Sequence, residues 1–279
     1  MSYPDQFQTP PPSPDPSSDP NQFQTPPPPQ DPGPPEPPMS VAGTLTGIFF
    51  EPGTVFEALR QRPRFLIAGL ITIALFMAFQ IAFTQKVGYE RLIREEVESG
   101  PRADQTTPEQ KDAAIRIQNS TIVKVIRFVI TPVFFAIFFA AGAALYLLGA
   151  VLMGKPITYS RALAVWVYAT LPPILLTTVI NLILLFIKSP DDYDILSASR
   201  RGLVKANLSI LADAKAAPIL YTVFGSLDVF AFYGLFLGAL GLRKLGKMSS
   251  GSAWGIVLTI WIVGVVLRIA GAAIFGQGM

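Results

Sequence analysis

The 279-residue sequence contains neither cysteine nor histidine. Disulfide bonds, cysteine nucleophiles, serine–histidine triads and metal sites built on these two residue types are therefore excluded. Phosphate-binding loops, dinucleotide-binding fingerprints and zinc-protease motifs are also missing from the sequence. We accordingly predict no catalytic residue, no metal ligand and no bound cofactor, and we interpret the chain as a protein that is not an enzyme.

Charged residues are scarce, at 15% of the sequence, whereas soluble domains average about 25%. Hydrophobic residues make up 51%, and the mean hydropathy is +0.44. The net charge is +3, but no cluster of lysine and arginine with interleaved aromatics indicates a nucleic-acid surface. We interpret the basic residues as flanks of membrane-spanning segments.

Apolar residues are also scarce at the N-terminus, where residues 1–39 hold 16 of the 26 prolines and no lysine or arginine. Two similar 16-residue repeats, QFQTPPPSPDPSSDPN and QFQTPPPPQDPGPPEP, occupy 6–21 and 22–37. Proline removes backbone donors, and no apolar periodicity is present to build a core. The segment is predicted to be a disordered cytosolic tail, which serves as a spacer or as a ligand for a proline-binding groove.

Residues 40–64 are amphipathic, with Val55, Phe56 and Leu59 on one side and Arg60, Arg62 and Arg64 at the end. Apolar side chains on such a segment can enter the bilayer while the arginines stay among the lipid headgroups. The sequence therefore predicts a segment at the membrane interface. The alternative is a pair of helices packed on the protein itself.

The remainder contains five long apolar stretches. About 20 residues suffice for a helix to cross the ~30 Å hydrocarbon core, and backbone groups in lipid must be satisfied within the helix. The fold class is therefore an all-α integral membrane protein, a five-span helical bundle over residues 65–279. The predicted spans are 65–84, 128–152, 162–187, 218–242 and 253–275. Within the first loop, Thr107, Pro108 and Gln110 form the pattern that begins a helix.

Five spans place the two termini on opposite sides of the membrane. With a cytoplasmic N-terminus, inside segments hold eight lysines and arginines and outside loops hold 13, so a raw count favours the reverse. The outside basics lie in long loops, however, and short loops carry most weight. The arginines before the first span and the short basic second and fourth loops favour a cytoplasmic N-terminus. A bacterial chain would then lie in the plasma (inner) membrane.

Asp228 and Arg268 are the only acid and the only base well inside predicted spans. They lie 14 and 15 residues from the inner ends of their spans, which corresponds to about 22 Å for both. Gln80 lies at a similar depth in the first span. Since an unpaired charge in hydrocarbon is costly, we predict that Asp228 and Arg268 pair in a structural polar layer that Gln80 joins. The alternative for Arg268 is that it extends to the membrane surface.

Two further patterns concern helix packing. Gly234 and Gly238 form a small-xxx-small pair that suits close helix contact, either with a partner or inside the bundle. Pro172 and Pro173 lie inside the third span, where proline removes a backbone hydrogen bond and clashes with the preceding turn. We therefore predict a bend in the third span at these two residues.

Three segments resemble the Yip family, the Ypt/Rab-interacting membrane proteins, and its prokaryotic members in particular. They are LTGIFFEPGTVFEALRQRPRF (45–65), WVYATLPPILL (166–176) and SLDVFAFYGLFLGALGLRKLGKMSSGSAW (226–254). In the last, Asp228, Val229, Phe230 and Tyr233 match the fourth-span pattern, and the resemblance extends over 45–275. It implies a five-span bundle with a cytosolic N-terminus. Eukaryotic members act in vesicle trafficking with GTPases, but their Asp-Leu-Tyr-Gly-Pro-type motif is absent here, which argues against a GTPase partner.

Two functional interpretations remain open. The first is a non-enzymatic membrane scaffold that organises the bilayer or binds other membrane proteins or copies of itself. The second is a small permease or channel-like component, because ionisable residues and a proline-broken span can frame a substrate site. Only two ionisable residues lie in the spans, and no inverted repeat is evident, so we favour the scaffold.

Overall fold

The computed structural model describes residues 39–98, 103–155, 157–214 and 216–275, so all of the predicted tail except Met39 lies outside the described residues. Within these ranges the chain forms eleven α-helices and no β-strand. The helices are α1 (Val41–Phe50), α2 (Pro52–Gln61), α3 (Leu66–Val87), α4 (Tyr89–Glu98), α5 (Pro108–Gln118), α6 (Thr121–Leu152), α7 (Tyr159–Ile187), α8 (Ile195–Arg201), α9 (Pro218–Ser226), α10 (Val229–Gly246) and α11 (Ser250–Phe275).

Five of these helices, α3, α6, α7, α10 and α11, are long and apolar enough to cross a membrane. The predicted all-α, five-span membrane fold is therefore confirmed. Helix α6 has 32 residues, which corresponds to about 48 Å and exceeds the ~30 Å hydrocarbon core. At least one end of α6 therefore extends beyond the hydrocarbon.

Helix α7 is the centre of the bundle, and α3, α6 and α10 pack around it, whereas α11 packs on α10, α9 and α6. The core contains the fully buried Tyr168 of α7. Its hydroxyl makes a 2.9 Å hydrogen bond with Oγ1 of Thr44 in α1. This contact satisfies both buried hydroxyls and fixes α1 to the central helix.

Helices α1 and α2 pack on the bundle rather than lying free beside it. Val55 and Phe56 are fully buried and Leu59 is 1% exposed, because α2 packs against α10 and α7. The prediction that this face enters lipid is wrong for these three side chains, since protein covers them. Phe50 at the end of α1 is 85% exposed and is the aromatic of this segment that remains available to lipid.

The first loop is largely helical. Thr107 and Gln110 form the predicted capping box at the start of α5, and Pro108 occupies the first turn. Arg127 near the start of α6 makes a bidentate ion pair with Glu96 of α4, at 3.2 and 2.9 Å. The capping box is therefore confirmed, and the ion pair joins the loop helices to the second span.

The predicted fourth span, 218–242, is interrupted. Helix α9 ends at Ser226, and α10 begins at Val229. The Asp228 carboxylate accepts the amides of Phe230 and Ala231, while the Val229 amide donates to the carbonyl of Ala206 in the third loop, residues 188–217. The prediction of one continuous helix is wrong, because this side chain and the third loop satisfy the amides that would otherwise extend α9 into α10.

The third span runs continuously through Pro172 and Pro173, and the bend at these residues remains a prediction. Helix α10 comes close to this point at Gly234. A Cβ atom at Gly234 would lie 3.5 Å from both the Ala169 carbonyl oxygen and Cγ of Pro173. Helix α10 therefore packs on α7 beside the two prolines.

Candidate functional site

A cavity of about 570 Å³ lies where α3, α6, α7, α10 and α11 meet the third loop, and we call it the polar cavity. Aromatic, polar and basic side chains all line it. Its aromatic residues are Phe76, Phe79, Phe134, Phe135, Phe138, Tyr221 and Phe230; its polar residues include Gln80, Thr177, Thr178, Asn181, Asn207 and Asp228; its cations are Arg200, Arg201, Lys205 and Arg268.

Asn181 is the buried polar residue that positions the third loop on this cavity. Its side-chain oxygen accepts the amides of Leu203 at 2.6 Å and Val204 at 2.8 Å. A Cβ atom at Gly202, whose φ is +83°, would clash with the Asn181 amide group, so only glycine fits this approach comfortably. These contacts hold non-helical backbone against a membrane span, an arrangement typical of segments that line a cavity.

Asp228 is the N-cap of α10. One carboxylate oxygen accepts the amides of Phe230 and Ala231, at 2.9 and 3.0 Å, and the other accepts Nδ2 of Asn207, at 3.2 Å. A carboxylate is favoured at this position because the amide groups and the dipole at a helix N-terminus stabilise negative charge. Asp228 therefore joins the third loop to the start of the fourth span.

The structure places Gln80, Asp228 and Arg268 on the wall of the same cavity. Within the described residues, however, Asp228 and Arg268 form no ion pair. The predicted direct pairing is wrong, since the amides of α10 and Asn207 occupy the carboxylate and stabilise its charge. Arg268 is instead an exposed cation on α11.

The effect of substitutions at Asp228 distinguishes the cap from an ion pair. We expect Asp228→Ala to lower the free energy of unfolding by about 1 kcal/mol, since a cap is lost, and Asp228→Asn to retain most of the stability. The double exchange Asp228→Arg with Arg268→Asp should be no more stable than Asp228→Arg alone. Thermal unfolding of the purified protein in detergent measures this, and recovery in the double variant would show that the two residues are partners.

The small residues pack inside the chain. Gly238 is buried and lies against the Tyr146 hydroxyl of α6, with Val257 of α11 also close. Gly234 contacts α7, as described above. In the described residues both glycines therefore serve contacts within the bundle, which is the second of the two possibilities that the sequence left open.

Sequence reasoning missed Asn181, Asn207 and the cations of the third loop. Asn181 offered a signal, because it is a lone amide in the apolar run LTTVINLILLFI of the third span. A polar side chain within a span commonly faces the bundle interior or a cavity. Arg200, Arg201 and Lys205 gave no such signal, since cations in a polar loop are usually solvated.

Comparison with known proteins gives one match. The model of the Yip1 domain family matches residues 46–271. Searches of curated proteins and of solved structures found no match. The matched range includes four complete spans, most of the fifth, the polar cavity and most of the N-terminal helices, and it is well over half of the chain. The predicted family resemblance is confirmed, and the chain belongs to the Yip1 domain family.

Proposed function

We propose that this Yip1 domain protein is a non-enzymatic membrane-organising protein that holds an anionic amphiphile, such as a phospholipid, in its polar cavity. The observation that supports the proposal is that aromatic and basic residues together line one cavity among membrane-spanning helices. A lipid has the same two-part character, an apolar chain and a charged head.

Two of the aromatic residues that line the cavity are also exposed on the surface of α6. Phe134 is 63% exposed and Phe138 is 37% exposed on the outer face of α6, while the neighbouring Phe135 is buried. Exposed apolar side chains on a span face lipid. An acyl chain can therefore reach the cavity from the side, without crossing the polar loop.

The polar side carries an excess of positive charge. Four cations line the cavity, and Arg201 stacks on the ring of Tyr221 at 4.8 Å. Asp228 is the only acid among the lining residues, and its oxygens already accept three hydrogen bonds. The exposed Arg200, Lys205 and Arg268 therefore favour an anionic headgroup.

Lipid retention by matched variants tests the proposal. Full-length protein would be reconstituted into nanodiscs of phosphatidylcholine with phosphatidylglycerol, and its bound lipids would be counted by native mass spectrometry. We expect Lys205→Gln with Arg268→Gln to reduce retained phosphatidylglycerol at least about a hundredfold, since the variant loses two charge-assisted contacts of about 1.5–3 kcal/mol each. Lys188→Gln, an exposed cation of the same loop outside the cavity, is the control. Equal retention by both variants would refute the proposal.

A permease or channel-like component is the second candidate. It is supported by the interruption between α9 and α10 and by the non-helical loop held against α7, because transporters build substrate sites from discontinuous helices. Flux of an anionic fluorophore into liposomes containing the purified protein separates the two functions. Flux above that of protein-free liposomes favours transport, whereas lipid retention without flux favours the organising role.

The partners and the orientation complete the proposal. We propose a cytoplasmic N-terminus, with the second and fourth loops on the same side. The bilayer is the first partner. Other membrane proteins or further copies of the chain could contact the exposed faces of α6 and α11. Less than a quarter of the residues in the most apolar part of each of these helices is buried.

A further inference from the structure

A second cavity, of about 480 Å³, lies at the opposite end of α10 from the polar cavity, and we call it the basic cavity. It is formed where the C-terminal ends of α2 and α10 meet the start of α7. Its lining residues are Arg60, Gln61, Arg161, Leu245, Gly246 and Lys247. Three cations therefore line one concavity, and none of its lining residues is acidic.

None of these three cations is paired with the nearby acid Glu57. Glu57 of α2 makes a 2.5 Å ion pair with Lys244 instead, and the hydrogen bond and charge of that ammonium hold the pKa of the Glu57 carboxyl below its usual range. In the parts of the chain that the structure describes, Arg60, Arg161 and Lys247 form no ion pair.

Arg161 is held in place by backbone. Its Nε donates to the Arg60 carbonyl oxygen at 3.1 Å, which fixes the plane of the guanidinium. The described residues provide no hydrogen-bond partner for its two Nη groups. An oriented guanidinium with free Nη groups suits bidentate contact with phosphate oxygens.

Lys247 has a left-handed backbone conformation, with φ 49° and ψ 40°. It is the only non-glycine residue with positive φ among those described. Glycine or asparagine usually occupies this position after a helix, because other side chains are strained there. The lysine at this position lines the cavity, although glycine would adopt the left-handed conformation at lower cost.

The helix dipoles cancel only part of the positive charge of the three cations. The C-terminal ends of α2 and α10 each supply about −0.5 charge and the N-terminal end of α7 about +0.5, so the cavity retains an excess of about two to three positive charges. A phosphate monoester carries about −1.5 to −2 at neutral pH. We propose that the basic cavity binds a phosphate monoester, carried either by a lipid headgroup or by a soluble molecule. This inference does not depend on the polar cavity.

Two probes distinguish the sources, with full-length protein in phosphatidylcholine nanodiscs. The lipid probe is phosphatidic acid, which has a terminal phosphate monoester, compared with phosphatidylglycerol, a diester. The soluble probe is glycerol 3-phosphate. Retained lipid is counted by native mass spectrometry, and binding of the soluble probe is measured by calorimetry. Preference for phosphatidic acid over phosphatidylglycerol identifies a lipid source, and saturable binding of glycerol 3-phosphate identifies a soluble one.

Two variants each remove one positive charge from the basic cavity, and a third variant is the matched control. Lys247→Asn removes the ammonium but keeps a residue suited to the left-handed conformation, and Arg161→Gln removes the oriented guanidinium. We expect each to weaken binding of the effective probe about tenfold. Arg243→Gln, an exposed cation near the same end of α10 outside the cavity, should leave binding unchanged. Equal losses in Lys247→Asn and Arg243→Gln, or no binding of either probe by the unaltered protein, would overturn the proposal.

Discussion

Gly142→Val is expected to cause a large loss of folded protein. A Cβ atom at Gly142 of α6 would overlap the indole ring of Trp166 in α7. That ring cannot move freely, because Tyr146 packs edge-on against it with ring centroids 4.8 Å apart. The Tyr146 hydroxyl in turn lies against Gly238 of α10. Two glycines on separate helices therefore enclose two aromatic rings.

Overpacking of this kind costs about 3 kcal/mol at the upper end of the usual range, which corresponds to a fall in Tm of about 6–12 °C for a protein of this size. Thermal unfolding in detergent, followed by size-exclusion chromatography, measures the change. Gly264→Val in α11 is the matched control, since no neighbouring atom lies within 4 Å of a Cβ there. An equal fall in Tm for both variants would show that helix propensity, rather than the fit of the ring, decides the outcome.

Asn181→Leu is expected to release the third loop from the bundle. The substitution removes the acceptor of the Leu203 and Val204 amides and places a bulky apolar side chain against Gly202. Each partly buried donor that loses its acceptor costs about 1–3 kcal/mol. With two donors affected, we therefore expect a loss of about 2–6 kcal/mol in the free energy of unfolding and rapid hydrogen exchange at the two amides.

Hydrogen exchange resolved to single amides in the third loop tests this expectation. Asn181→Asp retains an acceptor oxygen with nearly the same shape, so protection at Leu203 and Val204 should persist in that variant. Exchange that stays slow in Asn181→Leu would mean that the amides are protected by burial alone. The polar cavity would then not depend on this contact, and its shape should survive the substitution.

The two cavities lie at the two ends of α10. Asp228 and Asn207 connect the N-terminus of α10 to the third loop. At the C-terminus of α10, the left-handed Lys247 lies at the basic cavity. Between them, Gly234, Gly238 and Gly241 bring α10 close to its neighbours.

Much of the architecture could be predicted from the sequence, because it depends on local chemistry. Apolar runs of about 20 residues must be helical in lipid, whatever they contact. The start of α5 depends on Thr107, Pro108 and Gln110, which lie within one turn of each other, and the structure confirms the capping box there. The resemblance carried by three short segments identified the family that the domain match confirms.

The sites depend on residues that are distant in the chain, and only the tertiary structure decided their roles. In the sequence, Asp228 has the position expected of a residue in an intramembrane ion pair. In the fold, the side-chain amide of Asn207 and two backbone amides of α10 donate hydrogen bonds to its carboxylate instead. Val55, Phe56 and Leu59 have the pattern of a membrane-surface helix, yet α10 and α7 cover them. A hydrophobic pattern specifies which side chains leave water, but lipid and protein are both apolar. The choice between them is therefore made by the shapes of the neighbouring helices.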